Sequence, residues 1–250
     1  MRRNLIPIFL GCLSLSLFPV YKAGSRGTVS ETKGNTILNT TAHSAKANNE
    51  TWETTAIDLY DSLHLDKKGL SLDALKYAFR GYQNLLKKGA IKKTNILTVI
   101  DFSKSSHNKR MFIIDLNNYS LLVNTYVAHG KNTGLNYAKS FSNKMESLQS
   151  SLGFYLTKAT YFGKHGLSLK LEGKEPGFND KAEDRAVVLH GANYIGDHRL
   201  ASPYMGRSFG CPAVPQGEAN KVISLIKNGT CLFIYHPSDS YLNGSTLLNG

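Results

Sequence analysis

Ile96-Leu97-Thr98-Val99-Ile100-Asp101-Phe102 is the first stretch of this chain in which β-branched and apolar residues crowd together, and two more follow at Met111 to Leu116 and Tyr119 to Ala128. Such side chains suit the pleated, half-buried surface of a strand, where their stiff χ1 angles cost less than in a helix. Asn117-Asn118, between the second and third runs, tolerates the positive φ that a two-residue hairpin turn requires. Further strands are expected at Gly153 to Thr160, at Leu167 to Leu171 with alternating leucines, at Ala186 to Leu189 and at Cys231 to Tyr235. Gly163, Gly166, Gly173 and Gly177 punctuate them. The fold class is mainly β within an α+β architecture.

Upstream the period is helical. Leu72, Leu75, Phe79, Tyr82 and Leu86 recur three and four apart. Ser71 is the expected N-cap, Asp73 and Lys87-Lys88 complement the dipole, and Gly89 suits a left-handed C′ position. A second helix is expected over Glu218 to Lys227, with Asn228-Gly229 as its stop. Residues 24–50 are Ser, Thr, Asn, Gly and Lys with almost nothing apolar, too little to offset the entropy of ordering. Residues 1–23 have the form of a secretory signal: Met1-Arg2-Arg3, an apolar region from Leu5 to Val20, and Ala23 near the cleavage point. Lipidation at Cys12 is the lesser alternative. The organisation expected is therefore a signal peptide (1–23), a linker (24–50), a helical segment (51–95), a β-rich catalytic domain (96–237) and a tail (238–250).

With 250 residues, 41% hydrophobic and 19% charged, the chain is neither fibrous nor wholly disordered nor polytopic. Its net charge of +12 predicts attraction to a polyanion. Arg2, Arg3 and Lys22 supply three of those charges, and the remaining +9 contains no block of five basic residues, which argues against a nucleic-acid-binding arm.

Three cysteines occur, one of them in the signal region. Cys231 opens the apolar run Cys-Leu-Phe-Ile-Tyr, where a cysteine is an ordinary small buried residue. Cys211 lies instead in Gly206-Arg207-Ser208-Phe209-Gly210-Cys211-Pro212-Ala213-Val214-Pro215, a stretch too rich in Gly and Pro for a central strand or a helix interior. A disulfide partner or an inert thiol are open readings. A catalytic reading needs a base, and His190 supplies one: the run Ala186-Val187-Val188-Leu189 carries it to the end of a strand that Gly191 then breaks. A thiol with a pKa of ~8.5 is only a few per cent thiolate at neutral pH, and an adjacent imidazole can accept its proton. Backbone N–H groups of Phe209, Gly210 and Cys211 could converge on a developing oxyanion.

His190-Gly191 followed by Ser208-Phe209-Gly210-Cys211 resembles the signature of the YkuD-like L,D-transpeptidases. The murein L,D-transpeptidase catalytic-domain branch is more similar still, through Val127-Ala128-His129-Gly130-Lys131-Asn132-Thr133-Gly134, Ser150 to Tyr155, Gly163 to Leu169, and Gly206 to Pro215. The similarity covers about residues 55 to 237. The resemblance implies a β-sandwich or barrel prefaced by a short helical segment and carrying one C-terminal helix. It implies Cys211 as nucleophile and His190 as base, with Ser208 supporting either the imidazole or its own turn. The oxyanion hole would be the backbone of Phe209, Gly210 and Cys211, although Phe209 stands where the broader signature has His and Pro212 departs from it as well. The donor implied is a peptidoglycan tetrapeptide stem that loses D-Ala, with an amine of a neighbouring stem resolving the acyl-enzyme as a cross-link between third residues.

Substrate contacts are expected from Arg207, Gly191, Asn193, Tyr194, His129 and Tyr155, with a loop brace as the competing reading of Arg207 and a structural histidine as the stronger reading of His129 and of His165. Asp197-His198-Arg199 is expected as a solvated loop, and Asn179-Asp180 as a turn before Asp184-Arg185. No metal or organic cofactor is called for. The protein would be an exported, monomeric enzyme of the periplasm or cell envelope, touching the membrane only through an uncleaved signal or a lipid. Three rivals remain: an L,D-carboxypeptidase in which water resolves the acyl-enzyme, a zinc hydrolase assembled from His165, His190, His198 and Cys211, and a non-catalytic wall-binding module.

Overall fold

The computed structural model describes residues 52–250, so the expected signal and linker lie outside the described residues. Residues 62 and before, from 52, form helix α1, and Leu72–Lys87 forms α2. Ser71 caps α2 as its sequence predicts, accepting from the Ala74 amide at 3.4 Å, and Gly89 takes φ +64° beyond the last turn. The buried face is turned slightly from the one the leucine spacing suggests. Ala74, Ala78, Gly81 and Leu85 are buried beside Leu75, Phe79 and Tyr82, whereas Leu72 and Leu86 are only half-buried. The reason is a close approach: a Cβ on Gly81 would stand 2.0 Å from Cζ of Phe154, so small residues let the helix lie directly on the sheet.

Eight strands follow: β1 Ile96–Asp101, β2 Met111–Asp115, β3 Ser120–Thr125, β4 Gly153–Gly163, β5 Gly166–Gly173, β6 Val188–Ala192, β7 Ala213–Pro215 and β8 Cys231–Tyr235. They form one sheet in the order β3-β2-β1-β8-β4-β5-β6-β7, antiparallel except for the β1/β8 and β6/β7 pairs. Backbone beyond β3 reaches round to β7 through bridges between Ala128 and Ala213 and between Gly130 and Ser208, so the sheet closes almost into a barrel. Phe154 and Phe233 stack in its core with centroids 4.2 Å apart. Helix α3, Ala219–Ile226, buries Ala219, Val222, Ile223 and Ile226 and packs against β1, β5 and β6.

Two expectations change. The β2–β3 connection is a four-residue turn, in which the Asp115 carboxylate accepts the Asn117 and Asn118 amides at 2.9 and 3.1 Å, and the positive φ falls on Tyr119 (+45°) rather than on an asparagine. A side chain able to bond its own backbone two residues on has displaced the tighter hairpin. The Gly-Cys-Pro turn leads into β7 at the sheet's edge, where proline is tolerated, in keeping with its exclusion from a central strand. Finally, residues 238–250 are not a bare tail. Helices α4 (Asp239–Gly244) and α5 (Thr246–Asn249) bury Tyr241, Leu247 and Leu248. They are tied down by the buried Glu175 carboxylate, which takes hydrogen bonds from Tyr241 Oη (2.9 Å), Ser245 Oγ and the Phe154 amide (2.7 Å). Among the described residues no helix is long and apolar enough to cross a membrane.

Candidate active site

Strand β6 carries His190, paired with Ser168 of β5 on one side and with Ala213 of β7 on the other. The strand begins at Val188 rather than Ala186, whose φ is +53°, and it does not break at Gly191. Pairing of Gly191 with Val214 and of Ala192 with Pro215 extends the ladder past the glycine. Gly191 is needed for space instead, since a Cβ there would lie 2.8 Å from the Ala219 Cβ and from Gln216 Oε1. His190 is 2% exposed, and its Nδ1 lies 2.8 Å from the Gly191 carbonyl oxygen. A carbonyl only accepts, so Nδ1 bears the proton and Nε2 keeps its lone pair.

Cys211 is delivered by the loop preceding β7. Ser208 anchors that loop across to the chain beyond β3, its amide donating to His129 O (2.9 Å) and its carbonyl accepting from Lys131 N (2.8 Å). Gly210 has φ +124°, in a region L side chains rarely enter, and a Cβ there would also meet Gln149 O at 2.8 Å. Both cysteines among the described residues are free. The Cys211 sulfur accepts from the Val188 amide at 3.4 Å and lies 3.8 Å from Ala186 O. Burial pushes its pKa up, opposed by the Val188 amide and by the cations Arg185 and Lys164. Burial pushes His190 down, partly offset by its bond to Gly191 and reinforced by His165 and Lys164. The two shifts favour the neutral thiol and neutral imidazole at rest, so charge develops only when the proton moves.

Cys211, His190, Ser208, Phe209, Arg207 and Tyr194 line one cavity of about 490 Å³, together with Arg185 and His165. Proximity to Cys211 adds to burial in raising the Tyr194 phenol to about 12. Gly191, Asn193 and Tyr194 line an adjoining cavity of about 500 Å³ that shares Lys164, His165 and Tyr194 with the first.

Other expected contributors are engaged elsewhere. Ser208 Oγ donates to Cys211 O (2.6 Å) and accepts from Gly210 N (3.1 Å), so it holds its own turn and takes the Gly210 amide out of any oxyanion hole. The amides of Phe209 and Cys211 have no protein partner among the described residues. Arg207 braces loops, donating to Lys131 O (2.8 Å) and lying over the Tyr204 ring at 4.4 Å. Tyr155 is wholly buried with its hydroxyl on Ser151 O at 3.0 Å, a core residue out of a substrate's reach. His129 is buried too: Arg110 Nη2 donates to its Nδ1 at 2.8 Å, and its Nε2 meets Gly134 O at 3.2 Å. Asp197–Arg199 is a one-turn 3-10 helix rather than a loop, and its exposed His198 has Nε2 on Asn193 O (2.9 Å), outside the cavity, so the four side chains imagined around zinc do not converge.

Two residues at the cavity were read from the sequence chiefly as structure: His165 as a structural histidine, and Arg185 only as chain following a turn. His165 lines it and stacks on His190, with centroids 4.2 Å apart and planes at 19°. Arg185 spans the loop behind Cys211, donating to Ser142 O (2.7 Å), Ser147 Oγ (3.1 Å) and Gln149 O (2.6 Å). An arginine immediately ahead of an apolar run was a detectable signal; its partners, 36 to 43 residues away in sequence, were not.

The sequence model of the L,D-transpeptidase catalytic domain matches residues 66–235, which contain both β6 and the Cys211 loop. The chain belongs to the L,D-transpeptidase catalytic-domain family. Similar solved structures include an L,D-transpeptidase from Mycobacterium smegmatis, at 13% identity and TM-score 0.35, covering 57% of this chain and 59% of that one. The L,D-transpeptidase LdtMt1 in complex with imipenem is similar to the same degree, at 13% and 0.35, covering 56% and 59%. An L,D-transpeptidase fragment from Xylanimonas cellulosilytica is 14% identical with TM-score 0.32, covering 73% and 90%. The chain thus spans about three-fifths of the length of the first two. Comparison with curated protein sequences gives no match.

Proposed function

We propose that this L,D-transpeptidase-family chain is an exported cysteine acyltransferase of the cell envelope, acting on peptidoglycan tetrapeptide stems. The observation that carries the reading is the tautomer of His190: its Nδ1 proton is committed to Gly191 O, which leaves Nε2 as a base in the cavity that also holds the free thiol of Cys211. The sulfur's resting partners are Val188 and Ala186, so proton transfer needs a rotation of the thiol toward the imidazole, as is common before substrate tightens a site.

In the first half-reaction His190 Nε2 takes the Cys211 proton and the thiolate attacks the carbonyl joining the third stem residue to D-Ala. The amides of Phe209 and Cys211 are the donors available to the tetrahedral oxyanion. Collapse breaks the C–N bond, and the imidazolium returns the proton to the departing D-Ala amine. In the second half-reaction an amine from a neighbouring stem attacks the thioester, gives its proton to Nε2, and releases the thiol as a cross-link between third residues forms. Arg185, whose field favours the thiolate, supports both steps electrostatically.

The test is to incubate the mature protein and its Cys211→Ala variant with disaccharide tetrapeptide and weigh the products. Cross-linked dimer from the unaltered protein alone is the expected result. Tripeptide alone would make it a carboxypeptidase, and products unchanged by Cys211→Ala would end the proposal.

A further inference from the structure

We propose that His165 is the positioning residue for His190, a ring that fixes the plane of the base; the inference rests on the reading of His190 as base. The β4–β5 hairpin closes with Gly163 opposite Gly166, whose φ of +74° makes the tight turn, and this sets His165 at the hairpin's tip. Three residues on, Ser168 pairs with His190 itself, so the hairpin is registered directly against the base. The imidazoles stack at 4.2 Å and 19°.

An imidazole's χ2 well is broad, so rotamer preference alone does not orient the ring. The bond from Nδ1 to Gly191 O holds one atom of it, about which the plane can still swing. A second ring lying flat against it removes that freedom, and the two restraints together fix the direction of Nε2. The groups facing His190 are His165 and Lys164 of the hairpin and Ser168 of β5, with Tyr194, Arg185 and Cys211 sharing its cavity. Lys170 Nζ over the Tyr161 ring at 5.9 Å ties the two hairpin strands together below the tip. His165 itself is exposed, and its replacement leaves the buried core untouched.

The experiment compares the full chain with His165→Ala, His165→Phe and His190→Gln by the second-order rate of Cys211 alkylation with iodoacetamide from about pH 5 to about pH 9. His165→Ala is expected to slow alkylation about 10- to 100-fold, the scale of a misplaced reacting group. His165→Phe, which restores a flat ring, recovers most of that loss. It also moves the acid limb to higher pH, because the imidazole that helps burial lower the His190 pKa has been removed. A rate for His165→Ala equal to that of the unaltered chain would overturn the inference, as would a rate for His165→Phe as low as that of His165→Ala. Those results would leave His190 as base intact. An unchanged rate for His190→Gln would instead remove the reading on which the inference stands.

Discussion

His129 and His190 are both followed by glycine, are both within 2% of complete burial, and are both pushed below the ordinary histidine pKa by that burial. They differ in what meets their nitrogens. His129 has both nitrogens occupied, Nδ1 by the wholly buried Arg110 guanidinium and Nε2 by Gly134 O. Arg110 also donates to Lys104 O (2.9 Å) and twice to Val127 O (2.9 and 3.1 Å), and it lies over the Phe102 ring at 4.7 Å. The pair is a closed polar network that fixes the turn beyond β3, and with it the backbone that Ser208 binds. His190 has one nitrogen occupied and the other in a cavity. A buried histidine with every lone pair and proton satisfied is structure; one with a lone pair left over, lining the same cavity as a free thiol, is the one proposed for chemistry.

The largest effect that can break this contrast comes from His190→Gln. A general base contributes about 10²- to 10⁴-fold, so acylation of Cys211 by a thiol-reactive β-lactam such as a carbapenem should slow by that factor. The thermal midpoint should move little. An unchanged acylation rate would place His190 in the same class as His129.

His129→Ala is the mirror experiment. It leaves the Arg110 guanidinium buried without one of its acceptors and opens a void, a combination expected to cost about 2–4 kcal/mol. That cost should lower the melting temperature by about 5–10 °C for a domain of this size, while acylation per folded molecule is preserved. Acylation lost in proportion to that of His190→Gln would mean that His129 reaches substrate after all.

What the sequence made legible follows the same division between local and distant causes. Helix α2, its Ser71 cap and its Gly89 stop rest on spacings within one element, and β1, β2 and β8 lie within a residue or two of where their apolar runs end. Cys211 and His190 were legible because a Gly-Cys-Pro turn and a His-Gly after an apolar run are local patterns. Their neighbours were not. His165-Gly166 reads like His129-Gly130, and only the tertiary partner, an imidazole in one case and a guanidinium in the other, separates them. Nothing local in Lys174-Glu175-Pro176-Gly177 marks a buried carboxylate, yet Glu175 is 1% exposed because Tyr241 and Ser245, 66 and 70 residues away, donate to it. The same bonds explain how a short, weakly apolar C-terminal stretch becomes ordered helix.

A titration sharpens the comparison next. His129, held near a pKa of about 4 by burial and by Arg110, is neutral in the folded state, whereas in the unfolded chain it protonates near ~6.5. Between those values the unfolded state binds more protons, so stability falls as pH drops from about 6.5 to about 4, by about 3 kcal/mol from this residue. His190 acts in the same direction. Glu175 acts oppositely, because burial raises its pKa and the native state keeps its proton to a higher pH than the unfolded chain does. Urea midpoints measured at about pH 7 and about pH 4.5 should therefore fall with acid. A fall no larger in the unaltered chain than in His129→Ala would show His129 charged in the native state, contrary to an arginine donating to its Nδ1.

The smallest expected effect belongs to Ser208, and it tests whether the Cys211 loop is organised like the His129 network or like the His190 site. Its hydroxyl donates to Cys211 O and accepts from Gly210 N, two bonds that close the turn from inside, and neither reaches the imidazole. Ser208→Ala should accordingly cost about 1–2 kcal/mol in stability through the loss of those bonds. It frees the Gly210 amide, which becomes a third donor available to an oxyanion at the price of a looser turn. The two consequences oppose each other, so the acylation rate should change only a few-fold, far short of the about 10²-fold or more expected when a group acting in the proton transfer is removed. A loss on that larger scale, with the melting temperature unchanged, would return Ser208 to the proton-transfer chain.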